Sequence, residues 1–259
     1  MTQPIGLQPD DLAEVMATFG VAEAQVRRDH AISHILAALS RHGGDELIFF
    51  GGTALSRTYL LDERLSEDID LIAVDHRDDL ADVLRKDINT ALARTHGRIT
   101  WSPGWSRNSD VDPAVAVTAD GIAIQIQLLR GSRYEPWPTE SRQIKQRYRD
   151  APPAILRVPT RLSFAGWKTA AWMDRGAARD LYDLWALDKV GALNPESAAL
   201  FARHGSTSSP PRSWMFKRAP SALEWQVQLA GQTRLTVTAA EALEAVRTAW
   251  AAAVGEDWS

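Results

Sequence analysis

Helices and short strands alternate over the first 150 residues, and the remainder is almost entirely helical, which together predict an α+β protein. Two kinds of observation carry this reading. Short apolar runs bounded by glycine or turn residues are too short for helices and read as buried strands, whereas longer segments repeat apolar residues at helical spacing.

Pro9-Asp10-Asp11 opens a first helix, because acidic residues suit a helix N-terminus. A second helix is predicted from about Ala22 to Arg41, with Gly43-Gly44 as its stop. Glu46 to Phe50 is a short buried strand. Gly51-Gly52 follows at once and Thr53 to Leu61 reads as helix. Ile69 to Val74 is a second buried strand, and Asp78 to Thr95 a helix with Leu80, Val83, Leu84, Ile88 and Leu92 on one side. The period then changes to two: Arg98–Trp101, Ala114–Thr118 and Ile122–Leu129 read as strands, with Asp120-Gly121 turning between the last pair. A proline-punctuated stretch containing a short polar helix over Thr139 to Tyr148 leads to a domain boundary near residue 150. Two domains are therefore expected, 1–150 and 151–259. In the second, helices are predicted over Leu162–Met173, Ala178–Val190, Pro195–His204, Ala222–Leu229 and Thr238–Val254, the last with a Thr238/Glu241 capping box.

Composition excludes several classes. The chain has 259 residues, no cysteine and a formal net charge of -4. Without cysteine there is no disulfide framework, thiolate metal site or cysteine nucleophile. The net acidity argues against a protein that coats nucleic acid along its whole surface. No apolar run reaches the roughly 18 residues of a membrane span. No basic start followed by an apolar run opens the sequence, so the cytoplasm is the expected compartment.

The first chemistry-bearing constellation is Phe49-Phe50-Gly51-Gly52-Thr53-Ala54-Leu55, followed by Arg64-Leu65-Ser66-Glu67-Asp68-Ile69-Asp70-Leu71. A strand ending in two glycines before a helix lets an anion approach peptide N–H groups at a helix N-terminus. Asp68 and Asp70, two apart on a strand, point to one face. Two carboxylates beside a phosphate cradle repel unless a cation sits between them, and Mg²⁺ prefers such oxygen ligands. The arrangement suits phosphoryl or nucleotidyl transfer.

This string closely resembles the AbiEii/AbiGii-type nucleotidyltransferase toxins of bacterial toxin–antitoxin systems, within the DNA-polymerase-β-like superfamily. The resemblance implies a nucleotidyltransferase core, a small mixed sheet flanked by helices, with a helical C-terminal domain. It implies Mg²⁺-dependent use of an NTP and a cognate antitoxin partner. It places Gly51, Gly52 and Thr53 on the triphosphate and Asp68 and Asp70 on the metal. Arg64 and Ser66 match the same motif as nucleotide-binding candidates, with turn capping the alternative for Ser66.

A second constellation is Lys168-Thr169-Ala170-Ala171-Trp172-Met173-Asp174-Arg175 and Arg179-Asp180-Leu181-Tyr182-Asp183. Lys168 and Arg175 are seven apart and face one way on a helix. A lysine is suited to neutralising phosphate charge, and Asp180 or Asp183 can orient it or serve as general base. The alternative is a surface ion pair between Arg179 and Asp183. Resemblance to the family's Lys-x-x-Ala and Arg-Asp-x-Tyr-Asp signature assigns Lys168, Asp180 and Asp183 to catalysis. One departure stands out: where wider relatives carry a third carboxylate on a later strand, Ile122 to Leu128 offers only Gln125 and Gln127. Either two carboxylates suffice, or Asp180 or Asp183 completes the set.

Residues 130 to 180 hold eleven Arg and Lys against five Asp and Glu. Arg142, Lys145, Arg147 and Arg149, interleaved with Tyr134, Trp137 and Tyr148, are the expected RNA-binding residues, since arginine contacts phosphate and aromatics stack on bases. Trp167, Trp172 and Trp185 are expected packing residues. His30 and His34 have the spacing of a metal pair, but no third ligand is evident in the sequence, so a packed or surface pair is expected.

The expected function is transfer of a nucleotide from an NTP to an RNA acceptor, the tRNA 3′ end, blocking translation. Two other readings are transfer to a small molecule or protein hydroxyl, and a non-catalytic nucleotide-binding regulator.

Overall fold

The computed structural model describes residues 6–42, 44–133 and 137–258. Contacts divide the chain into two compact units, the first ending at Val158 and the second beginning at Pro159, with Trp137 and Pro138 belonging to the second.

The first unit opens with α1 (Pro9–Phe19) and α2 (Glu23–Leu39). Proline at N1 and the acidic pair Asp10 and Asp11 start α1, and Gly20 in the left-handed region ends it. β1 (Leu47–Phe50) runs into α3 (Gly51–Thr58), followed by β2 (Ile69–Ala73) and α4 (Arg77–Leu92). β3 (Thr100–Trp101), β4 (Ala114–Val117), β5 (Ala123–Arg130), β6 (Thr139–Ile144) and β7 (Ala154–Pro159) complete the unit. They form one mixed sheet in the order β3-β4-β5-β2-β1-β7-β6. β1 and β2 are antiparallel, β2 and β5 parallel, and β4 and β5 form the predicted hairpin about Gly121. One face of the central strands is fully buried, through Leu47, Phe49, Ile69, Leu71, Ile124, Ile126 and Leu128. The opposite face of β2 and β5 carries Asp70, Gln125 and Gln127, as the period of two demands.

One expectation is corrected, and one strand is absent from the sequence reading. The segment Thr139 to Tyr148 is not helical: its first part is β6, at the edge of the sheet beside β7. A polar edge strand carries no buried alternation, so nothing in its local pattern distinguishes it from an exposed helix. β7 itself went unread between Pro152-Pro153 and Pro159, although Ala154, Leu156 and Val158 alternate and are buried while Ile155 is exposed.

The second unit is helical: α5 (Arg161–Arg175), α6 (Ala178–Lys189), α7 (Pro195–His204), α8 (Ala222–Leu229) and α9 (Ala239–Val254). Thr160 caps α5, Gly176 in the left-handed region ends it, and the Thr238/Glu241 capping box starts α9 as predicted. Its core holds Phe164, Trp172, Phe201, Phe216, Trp225 and Trp250. Among the described residues, no helix is long and apolar enough to cross a membrane.

Candidate functional site

The sheet brings the predicted glycine turn and Asp-x-Asp pair together. Antiparallel pairing of β1 with β2 sets Phe50 opposite Asp70, so the chain leaves β1 at Gly51 directly beside the Asp70 carboxylate. Gly51 has φ +77°, a conformation that disfavours any side chain. The contact is tight: a Cβ at Gly51 would lie 2.0 Å from Asp70 Oδ2. Only glycine satisfies both conditions. Asp68 lies immediately before β2, and its carbonyl accepts a hydrogen bond from Thr53 Oγ1. That bond ties α3 to the aspartate strand and commits the Thr53 hydroxyl to the main chain.

Arg64 and Ser66 are both buried and lie against the second glycine: a Cβ at Gly52 would fall 2.7 Å from Arg64 Nη2 and 3.0 Å from Ser66 Oγ. Arg64 also donates to the Leu65 carbonyl at 3.0 Å. The two side chains therefore abut the turn that carries the helix N-terminus.

This geometry predicts a graded pair of effects. Gly51→Ala combines a left-handed backbone cost of about 1–2 kcal/mol with displacement of Asp70. It is expected to lower the nucleotide transfer that the resemblance implies about 100-fold, the scale set by an ångström-sized misplacement. Gly52→Ala meets the end of a longer side chain and is expected to cost less. Steady-state pyrophosphate release by the two variants checks this order, and equal activities would contradict it.

Parallel pairing of β2 with β5 puts Gln127 in register with Asp70. Gln127 Nε2 donates to the Val111 carbonyl at 2.9 Å, which fixes which way its amide is turned. The strand position beside Asp70 thus carries a neutral amide. Two carboxylates and an amide form an all-oxygen donor set suited to a hard divalent cation such as Mg²⁺.

In the second unit, Lys168, Asp180 and Asp183 form one buried cluster. Lys168 Nζ lies 3.0 Å from Asp180 Oδ1 and 2.7 Å from Asp183 Oδ2. Arg175, two helical turns after Lys168, grips Asp180 with two bonds, Nε to Oδ2 at 2.6 Å and Nη2 to Oδ1 at 3.0 Å. The shared helix face predicted for Lys168 and Arg175 is realised as two cations converging on Asp180. Burial pushes the Asp180 carboxyl up, but Lys168 and Arg175 outweigh it and hold it at about 2. A carboxylate so stabilised is a weak base, which favours an orienting role for Asp180 over proton abstraction.

The basic segment is less available than its composition implies. Arg147 turns inward: its Nη2 donates to the Ser56 and Leu61 carbonyls at 2.9 and 3.1 Å, and its Nη1 lies 3.5 Å from Asp29. Burial and the nearby Arg57 lower its pKa to about 10. Arg149 bonds Asp11 at 2.8 Å, and Arg142 lies over the Tyr59 ring at 4.5 Å. Lys145 is exposed. Tyr148 is buried with its hydroxyl 2.8 Å from Asp29, and Trp137 stacks on Trp167. Neither presents a free stacking face, and Tyr134 lies outside the described residues.

Sequence reasoning passed over Arg57, fully buried and bonded to Asp29 and Ser33 at 2.8 Å each. It also missed Asp150, which joins His30 and His34. Neither carries a local signal, because each partner lies on a distant part of the chain.

The family match identifies the class of protein as a nucleotidyltransferase. Residues 34–256 match the family described as the nucleotidyl transferase AbiEii toxin of type IV toxin–antitoxin systems. The chain belongs to this family; it is a nucleotidyltransferase toxin with a nucleotide substrate and an antitoxin as partner. Its structure is similar to that of MenT4, a nucleotidyltransferase toxin from Mycobacterium tuberculosis H37Rv, with TM-score 0.70, 24% identity, and coverage of 97% of this chain and 91% of that one. It is also similar to JHP933 from Helicobacter pylori, with TM-score 0.58, 17% identity, and coverage of 89% and 91%. At these identities the likeness is one of fold. No curated protein matches the sequence significantly.

Proposed function

We propose that this chain transfers a nucleotide from an NTP to an RNA acceptor, the tRNA 3′ end, in a Mg²⁺-dependent reaction in the cytoplasm that blocks translation. The observation that carries the reading is the packing of Gly51 against Asp70, which joins an anion-binding helix N-terminus to a carboxylate pair.

In this reading the N–H groups at Gly51, Gly52 and Thr53 receive the triphosphate. Arg64 and Ser66 hold the turn in shape and lend their polarity to it. Asp68 and Asp70 hold Mg²⁺, which when bound neutralises phosphate charge and supplies Lewis acidity. In the second unit, Lys168 is the catalytic cation of its own cluster, with Asp180 and Asp183 orienting its ammonium group. The acceptor hydroxyl attacks the α-phosphorus, the bond to the β-phosphate oxygen breaks, and pyrophosphate leaves while the hydroxyl proton passes to a base. Gln127 leaves the site with two carboxylates. Half-buried Arg142 and exposed Lys145 and Arg149 support a polynucleotide acceptor; Arg147 does not, since its guanidinium is held internally.

The test is incubation of the chain with each labelled NTP, Mg²⁺ and total RNA, followed by sizing of the labelled species. Label in a tRNA-sized band is expected. Label confined to protein or a small molecule would overturn the RNA acceptor.

A further inference from the structure

The first unit holds a second cluster of metal-ligating groups, built from residues unrelated to the Asp68 and Asp70 pair. His30 and His34 lie one turn apart on α2, and Asp150 lies in the loop between β6 and β7; all three are buried. Their donor atoms close a triangle. His30 Nε2 is 3.1 Å from Asp150 Oδ2, His34 Nε2 is 3.2 Å from the same oxygen, and the two Nε2 atoms are 3.3 Å apart.

Those separations carry the argument. A tetrahedral zinc ion with bonds of about 2.0–2.1 Å holds its donors roughly 3.4 Å apart along each edge. The three edges here are within a few tenths of an ångström of that value. His30 Nε2 also lies 3.0 Å from the other carboxylate oxygen, Oδ1. Asp150 can therefore bind through both oxygens, which lie closer together than a tetrahedral edge, giving a distorted four-donor set.

The surroundings are those of a ligand set. His30 Nδ1 faces His96 Nε2 at 3.1 Å, and His96 Nδ1 faces Thr95 Oγ1 at 2.8 Å. When His96 donates to Thr95 and His30 donates to His96, the His30 lone pair is left on Nε2, aimed at Asp150 and His34. With His34 in the Nδ1–H tautomer, three lone-pair donors meet in a buried space, and a cation relieves their repulsion. The Gly6 N–H donates to Asp150 Oδ2 at 3.0 Å and orients the carboxylate from outside.

We propose that His30, His34 and Asp150 bind a structural transition-metal dication, zinc, which pins α2 to the β6–β7 loop. Two imidazoles select zinc or its neighbours over Mg²⁺, which prefers oxygen.

The test uses the full chain, purified without chelator or metal-affinity steps. Elemental analysis is expected to find about one zinc per chain, as a closed structural site requires. After chelation, titration with Co²⁺ alone should produce the visible d–d bands of four-coordinate cobalt. His34→Ala and Asp150→Asn should each abolish those bands. His96→Ala should weaken cobalt binding about 10–100-fold without abolishing it, as expected when a group that orients a ligand is removed. Zinc should raise the thermal midpoint of the chelated wild type, a readout independent of nucleotide transfer. A wild type that is zinc-free, gives no cobalt bands and melts at the same temperature with or without zinc would overturn the proposal in favour of a proton-bridged cluster. Cobalt bands that persist in both His34→Ala and Asp150→Asn would overturn it as well.

Discussion

Asp70→Asn is expected to lower nucleotide transfer about 10³-fold, a loss of roughly 4 kcal/mol in transition-state stabilisation. Asparagine keeps the size of the side chain that abuts Gly51 but removes the charge on which a divalent cation depends. Folding should therefore be nearly unaffected while chemistry fails. Pyrophosphate release under saturating NTP and Mg²⁺, measured beside the thermal midpoint, separates the two. Because Gln127 stands beside Asp70, no neighbouring strand carboxylate is in register to compensate. Asp68→Asn should behave similarly. A Asp70→Asn variant keeping more than about a tenth of wild-type activity would remove Asp70 from the metal-binding role, since that residual corresponds to under about 1.4 kcal/mol.

Lys168→Met is expected to have the largest effect on stability. It leaves Asp183 without the ammonium 2.7 Å away and Asp180 with Arg175 alone. Breaking one partner out of a buried ionic cluster costs about 3–5 kcal/mol. In a unit of this size that lowers the thermal midpoint by at least about 10 °C. The triple variant Lys168→Met, Asp180→Asn, Asp183→Asn should recover part of the loss, because no unpaired charge remains buried. No recovery would show that packing of the lysine stem, not charge, holds this region together.

The same cluster sets an acid limit. The Asp180 carboxyl is held at about 2, below its ordinary value near 4. A depressed carboxylate contributes stability that is complete above the unfolded value and is lost as pH falls through the folded one. Its contribution, about 2 kcal/mol, should therefore disappear between roughly pH 4 and pH 2. Urea unfolding across that window measures it. In Asp180→Asn this part of the pH dependence should vanish.

Much of the fold was legible locally. Gly51-Gly52 after a four-residue apolar strand, the alternation around Asp120-Gly121 and the apolar spacing of the later helices each state their own structure. The Asp68-x-Asp70 pair was legible because a strand's period of two makes adjacency in space a consequence of spacing in sequence. β6 was not, since a polar edge strand becomes a strand through its neighbour β7 rather than through its own pattern. Arg147 was misleading for a related reason: charge is visible in a sequence, whereas the Ser56 and Leu61 carbonyls and Asp29 that absorb it are far away along the chain.

What the sequence determined by itself was therefore the list of elements and the short-range constellations: a glycine turn, two aspartates on one face, a lysine and an arginine seven apart. These depend on backbone geometry within a few residues. The tertiary structure alone decided which distant groups meet. It set Gly51 against Asp70 and Gln127 beside Asp70, closed Lys168 and Arg175 onto Asp180, and carried Asp150 across 116 positions to His34. Such meetings follow from sheet register and helix packing, which collect small contributions from the whole chain and leave no local mark on the residues they bring together.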